Sequence, residues 1–214
     1  MIATPAQLFY RALSAVPFLP SARRYNISLS HERKFLWFRV AKVGTRTIVR
    51  CLRQGGVLRR RGPDSNLHYA PNLYRDYFKF AFVRNPWDRL ISCWLDKVVR
   101  SNAFGLAPDA LERCRRLDGF LDHVAGLDLQ ACDRHLALQS SLIDLNNVDF
   151  IGRMERFEDD LRTVLARIGV EHVEIGRANA TDERQPYAAY YDAAAREKAF
   201  RLYEKDIRLF GYDF

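Results

Sequence analysis

Seven residues, Ala41-Lys42-Val43-Gly44-Thr45-Arg46-Thr47, set a lysine, a glycine and two threonines between two patterned stretches. Before them lies a short apolar run, Phe35-Leu36-Trp37-Phe38 with Val40; after them Ile48, Val49 and Leu52 recur at helical spacing. Strand, short glycine-bearing loop, then helix is the layout of a phosphate cradle. Backbone N–H groups at a helix start point at an anion, and the helix dipole favours negative charge there. Lys42 adds a mobile cation at the mouth, and Thr45 or Thr47 is suited to cap the helix or donate a hydroxyl. The stretch is not a Walker A loop, in which Gly, four residues and Gly-Lys-Ser/Thr follow in order, because Lys42 precedes the loop's only glycine. Alone, it also fits an ordinary strand-to-helix turn with a surface lysine.

A second cluster repeats the arrangement. Phe78-Lys79-Phe80-Ala81-Phe82-Val83 is nearly continuous apolar, as a buried parallel strand is. It runs into Arg84-Asn85-Pro86-Trp87-Asp88-Arg89-Leu90-Ile91-Ser92. Asn85 is a good N-cap and Pro86 a good first helical residue. Arg84 falls at the carboxyl end of the strand, where open α/β sheets bind ligands. Arg89 and Ser92, three apart, share a helix face. A forked contact from Arg84 and a hydroxyl from Ser92 suit one phosphate; the plainer alternative pairs Arg84 and Arg89 with Asp88 or Asp96. Taken together, two cradles at two strand ends fit a ligand with two separated phosphate groups.

The elements that must position these groups read as α/β. The chain has 214 residues, enough for one domain or two small ones, and its 48% apolar and 13% aromatic content supports a sizeable core. A third short strand is expected at Val148–Gly152, a helix from about Glu158 to Ile168, and a long last helix from about Asp192 to Leu209. Strands followed by helices predict a mainly parallel central sheet flanked by helices. Residues 1–30 read as an N-terminal arm and 31–214 as the main domain. The arm is too short and too broken by Arg11, Pro17 and Pro20 for a membrane span, and it lacks the basic start of a signal peptide.

A net charge of +8 points to an anionic partner: nucleic acid, a nucleotide or an acidic polymer. Arg59-Arg60-Arg61 reads as a solvated turn or as a rim that attracts an acidic substrate. The four cysteines, Cys51, Cys93, Cys114 and Cys132, lack zinc-type or CxxC spacing and suit reduced thiols in a cytosolic protein. No metal-ligand cluster is visible.

These motifs resemble a known family. Lys42-Val43-Gly44-Thr45 resembles the 5′-phosphosulfate loop of sulfotransferases, and Phe78 to Ser92, FKFAFVRNPWDRLIS, resembles their 3′-phosphate motif. Val148 to Asp160, VDFIGRMERFEDD, and the ending DIRLFGYDF resemble carbohydrate sulfotransferases of the membrane-bound Golgi type and their bacterial relatives. The resemblance covers about residues 33 to 214. It departs at Ala41, where the family usually has proline. The lack of a visible membrane anchor favours a cytoplasmic, bacterial protein, with a Golgi-lumen catalytic domain as the alternative.

The resemblance implies a three-layer, P-loop-like fold. It implies transfer of a sulfuryl group from PAPS (3′-phosphoadenosine 5′-phosphosulfate) to a carbohydrate hydroxyl, giving PAP, with no metal and no nucleic-acid partner. Lys42 would neutralise the oxygen bridging sulfate and 5′-phosphate. The loop Lys42, Val43, Gly44, Thr45, Arg46 and Thr47 would hold the phosphosulfate through the N–H groups of Gly44 to Thr47. Arg84 and Ser92 would hold the 3′-phosphate. His68, between the loop and the second strand, is the first candidate for general base. His135, in a stretch resembling a His…Gln segment of the family, would orient the acceptor or act as base. The plain reading of each is a hydrogen-bonded structural histidine. Glu155 reads as structural, pairing with Arg153 or Arg156. A kinase-like phosphotransferase lacks its Walker A loop and magnesium aspartates here. A non-catalytic binder of a nucleotide, a nucleic acid or an acidic glycan stays as the alternative. Residues 100–140 and 170–190 are expected to shape the acceptor site; the acceptor and the oligomeric state are not legible.

Overall fold

The computed structural model describes residues 3–14, 16, 24–58, 64–176 and 185–214, and of residues 64–66 the backbone only. The basic run Arg59–Arg61 therefore lies outside the described residues, as do residues 177–184. The chain divides into two compact units, residues 1–83 with 142–178, and residues 84–141 with 179–214.

The first unit carries a five-stranded sheet. Its strands are β1 (Arg24–Ser30), β2 (Phe35–Phe38), β3 (Asp64–His68), β4 (Phe78–Val83) and β5 (Phe150–Arg153), in the spatial order β3-β1-β2-β4-β5. β2, β4 and β5 run parallel to one another. β1 runs antiparallel to both of its neighbours, so the sheet is mixed rather than mainly parallel as expected. The reason is local. Only residues 31–34 join β1 to β2, and a connection that short makes a hairpin, whereas parallel neighbours need a long crossover. Lys34 takes φ +48 to close this turn. Residues 24–30, read from sequence as part of an arm, are thus a strand inside the sheet.

All four residues of β2 are buried, as are the last five of β4. The indole of Trp37 stacks flat on Phe80 across the parallel pair, with centroids 6.0 Å apart. Helix α1 (Pro5–Ser14) packs on β3. Helix α2 (Thr45–Gln54) follows β2 and stops at Gly55, while α6 (Phe157–Arg167) follows β5.

The second unit is helical among its described residues: α3 (Pro86–Trp94), α4 (Pro108–Cys114), α5 (Leu117–Ala125) and α7 (Ala193–Phe210). Beyond Trp94 the chain widens into a single π turn, Leu95–Val99. Trp87, Leu90, Ile91, Phe120, Leu121 and Tyr203 sit in one core. Arg89 is 2% exposed and turned inward, donating to the carbonyls of Ala137 at 2.9 Å and Arg134 at 2.8 Å. It organises the 134–137 segment rather than facing a ligand alongside Ser92. The tail returns to α3: Asn85 Nδ2 donates to the Asp213 carbonyl at 2.7 Å, and the Phe214 ring meets Trp87 edge-on. All four cysteines are free thiols; Cys51, Cys93 and Cys114 are buried.

Candidate functional site

The loop after β2 is a left-handed turn. Lys42 has φ +70 and Gly44 has φ +75, with Val43 between them fully buried. A lysine in this region costs about 1 kcal/mol, a strain that marks functional loops when the surroundings enforce it. Here they do. Thr45 Oγ1 donates to the Val40 carbonyl at 3.0 Å, cinching the turn. A Cβ placed on Gly44 would lie 2.6 Å from the Phe157 ring, so that ring leaves no room for a side chain.

Gly44 is itself the N-cap of α2, and no side chain caps the helix. Its carbonyl accepts from Thr47 N at 2.9 Å and Ile48 N at 3.1 Å. The N–H groups of Thr45 and Arg46 precede the first intrahelical donor, Thr47 N, so they form the mouth of the helix, where an anion is favoured. The expected cradle of Gly44 to Thr47 is therefore narrower at its far end. The Thr47 N–H is engaged, and its side chain is buried. Lys42, half-buried, rises from the same turn.

Arg84 follows β4 without a break. Its own N–H donates to Gln139 Oε1 at 2.9 Å, and Gln139 Nε2 donates back to the Arg84 carbonyl at 2.9 Å. The guanidinium Nε donates to Asp88 Oδ2 at 2.7 Å, with 15% and 21% of the two side chains exposed. Asn85 caps α3, its Oδ1 accepting from Trp87 N at 3.1 Å and Asp88 N at 3.4 Å; Pro86 supplies the first helical residue. Ser92 is half-buried and stands one turn beyond Asp88, so Asp88 and Ser92 share a face of α3. The pairing of Arg84 with Asp88, weighed as the plain alternative, is present.

The two candidate histidines differ. His68 closes β3, which runs parallel to β2 because both oppose β1. It therefore lies at the same carboxyl edge of the sheet as the Lys42 loop. Its ring stacks on Tyr10 at 5.4 Å, and its N–H donates to Ser14 Oγ at 2.7 Å. His135 sits in the second unit. Its Nδ1 is 2.7 Å from Asp133 Oδ1, the same oxygen that accepts its backbone N–H at 2.8 Å. Burial lowers its pKa below the ordinary imidazole value, and Asp133 opposes the shift without cancelling it. The ring is thus neutral near pH 7. With Nδ1–H donating to the carboxylate, Nε2 is left as the acceptor, the orientation a general base or a hydroxyl-positioning group requires. Asp133 stays ionised: burial raises its pKa, but the two His135 bonds outweigh that.

Glu155 is read as pairing with Arg153 or Arg156, and Asp160 competes for Arg156. Asp160 Oδ2 accepts the Arg153 N–H at 2.7 Å, and its Oδ1 lies 3.4 Å from Arg156. Sequence reasoning also left Asp206 and Asp133 unassigned. Asp206 had a legible signal, an acid on the inward stripe of the last helix beside Tyr203, Ile207 and Phe210. Among the described residues, no group of three or more His, Cys, Asp or Glu is placed to hold a metal, and no helix is long and apolar enough to cross a membrane.

A family model described as the sulfotransferase family matches residues 25–213. Carbohydrate sulfotransferase 10 of Xenopus laevis is 29% identical over 168 residues, covering 64% of this chain and 47% of that protein. The Homo sapiens protein of the same name is 28% identical over 170 residues, covering 64% and 48%. The Gallus gallus protein is 27% identical over 181 residues, covering 70% and 49%. The chain spans about half the length of the curated relatives it matches. No solved structure gives a significant match. These vertebrate relatives overturn the expectation of a cytoplasmic, bacterial protein. From β1 through the left-handed loop, Arg84 and the docked tail, the match takes in every motif described above: the chain belongs to the sulfotransferase family, and its relatives there are carbohydrate sulfotransferases.

Proposed function

We propose that the protein transfers a sulfuryl group from PAPS to a hydroxyl of a carbohydrate and releases PAP. One observation carries the reading: a lysine held at φ +70 two residues before a glycine N-cap, at the mouth of a helix with no side-chain cap. An ordinary strand-to-helix turn has no reason to keep a lysine in that conformation. A loop that must aim an ammonium group and two N–H groups at one anion does.

PAPS fits the residues present. The Gly44 position is closed to any side chain, the first-turn N–H groups of α2 suit a 5′-phosphosulfate, and Arg84 with Ser92 suits a 3′-phosphate. PAPS supplies an activated sulfuryl group. Transfer of such a group is in-line, with a loose transition state and charge growing on the leaving oxygen. Lys42 neutralises that oxygen, and the Thr45 and Arg46 N–H groups fix the equatorial charge. The acceptor oxygen bonds to sulfur as the bond from sulfur to the bridging oxygen breaks, and the hydroxyl proton passes to His68. His135, oriented by Asp133, accepts a hydrogen bond at Nε2 and positions the acceptor.

Calorimetric titration with PAP, ADP and ATP in the absence of magnesium tests the reading. PAP is expected to bind far more tightly than either nucleotide, and Arg84→Ala to abolish that preference. Equal affinity for all three, or none for any, would sink it and leave a non-catalytic polyanion binder.

A further inference from the structure

We propose that Gln139 is a positioning residue for Arg84, and that Asp206 holds Gln139 in place for that task. The inference rests on Arg84 as the 3′-phosphate group and adds what makes it selective.

The ladder of β4 ends at Val83, and Arg84 is the next residue. A residue just past a strand end ordinarily loses its backbone partners and with them its fixed direction. Here the Gln139 amide replaces a neighbouring strand. It accepts from the Arg84 N–H and donates to the Arg84 carbonyl, both at 2.9 Å. The arginine backbone is thus held as though the sheet continued for one more residue. Asp88 fixes the other end of the side chain through Nε. With both ends held, less freedom is lost when the guanidinium engages a phosphate, and its fork is already oriented.

Gln139 is in turn held. Asp206, fully buried, accepts Gln139 N at 2.5 Å through Oδ2 and Ser140 N at 3.0 Å through Oδ1. Gln139 is fully buried as well. A buried amide and a buried carboxylate both cost free energy unless every polar atom is satisfied. Apolar packing would fill this volume at lower cost. The chain Asp206–Gln139–Arg84 instead sets one backbone segment with hydrogen bonds whose geometry tolerates little error.

The test compares PAP with AMP, which differ only in the 3′-phosphate. Titrations are made on the full chain and on Arg84→Ala, Gln139→Glu, Gln139→Met and the double variant Arg84→Ala/Gln139→Met. Gln139→Glu retains size and one acceptor but sets an oxygen against the Arg84 carbonyl, so it supports the test should Gln139→Met fold poorly. We expect both Gln139 variants to lower the PAP-over-AMP preference at least tenfold while AMP affinity stays unchanged. The double variant should match Arg84→Ala alone, since positioning is worthless without the group positioned. PAP and AMP affinities falling in parallel, or a preference untouched in Gln139→Glu, would overturn the inference. If Arg84→Ala itself keeps the preference, the 3′-phosphate assignment fails first, and the inference with it.

Discussion

The ring of Phe157 occupies the space into which any side chain on Gly44 would project, 2.6 Å from the ideal Cβ position. Two requirements therefore meet at one residue: a backbone at φ +75 and a contact that excludes even a methyl group. Neither is visible from the loop alone, because Phe157 opens α6, more than a hundred residues on. Gly44→Ala is expected to destabilise the protein by about 2 kcal/mol, combining left-handed strain with displacement of the ring. A urea melt measures this as a lowered midpoint at unchanged slope. PAP affinity should drop in the same variant, because shifting Gly44 turns the first N–H groups of α2. A midpoint equal to wild type would mean that Phe157 yields freely and the loop is not braced.

Lys42 separates stability from chemistry. Its side chain is assigned to the leaving oxygen, whereas its backbone carries the strain. Lys42→Ala and Lys42→Gly should both lose turnover by two to three orders of magnitude, roughly the effect of removing one preorganised oxyanion contact. They should differ in stability. Glycine accepts φ +70 without penalty, so Lys42→Gly is expected to be about 1 kcal/mol more stable than Lys42→Ala. Parallel activity assays and thermal melts check both. Activity retained in either variant would remove Lys42 from the mechanism.

What the sequence disclosed follows physical range. The β4-to-α3 junction was legible because its determinants are adjacent: a continuous apolar strand, then Asn85 as cap and Pro86 at the first helical position. β1 was hidden because Arg24–Ser30 is polar and half-buried, so its pattern does not separate a strand from an arm. The direction of a strand is written in the length of its connection, not in its pattern, and the four-residue turn at 31–34 was the clue that the sheet is mixed. The clamp on Arg84 was illegible for a third reason. Gln139 and Asp206 act across 55 and 67 residues of sequence. No local period records such a contact.

The histidines offer the last separation, by pH as well as by rate. His68→Gln is expected to cut kcat by roughly two to four orders of magnitude, the usual contribution of a general base, with PAP affinity unchanged. His135→Gln should instead raise the acceptor KM with a smaller loss in kcat. His135 also predicts a stability effect of definite sign. Its folded pKa lies below its unfolded value of about 6.5. Between those two values the unfolded chain binds more protons than the folded one, so stability falls as pH drops from about 6.5 through the folded pKa. The contribution is fully present above that window. Denaturation midpoints taken from pH 7.5 down to 5 should show this slope in the wild type and a shallower one in His135→Gln, while Asp133, whose pKa is depressed below 3.8, acts only at still lower pH. Identical slopes in the two proteins would mean that His135 titrates as it does in the unfolded chain and that burial does not keep its ring neutral.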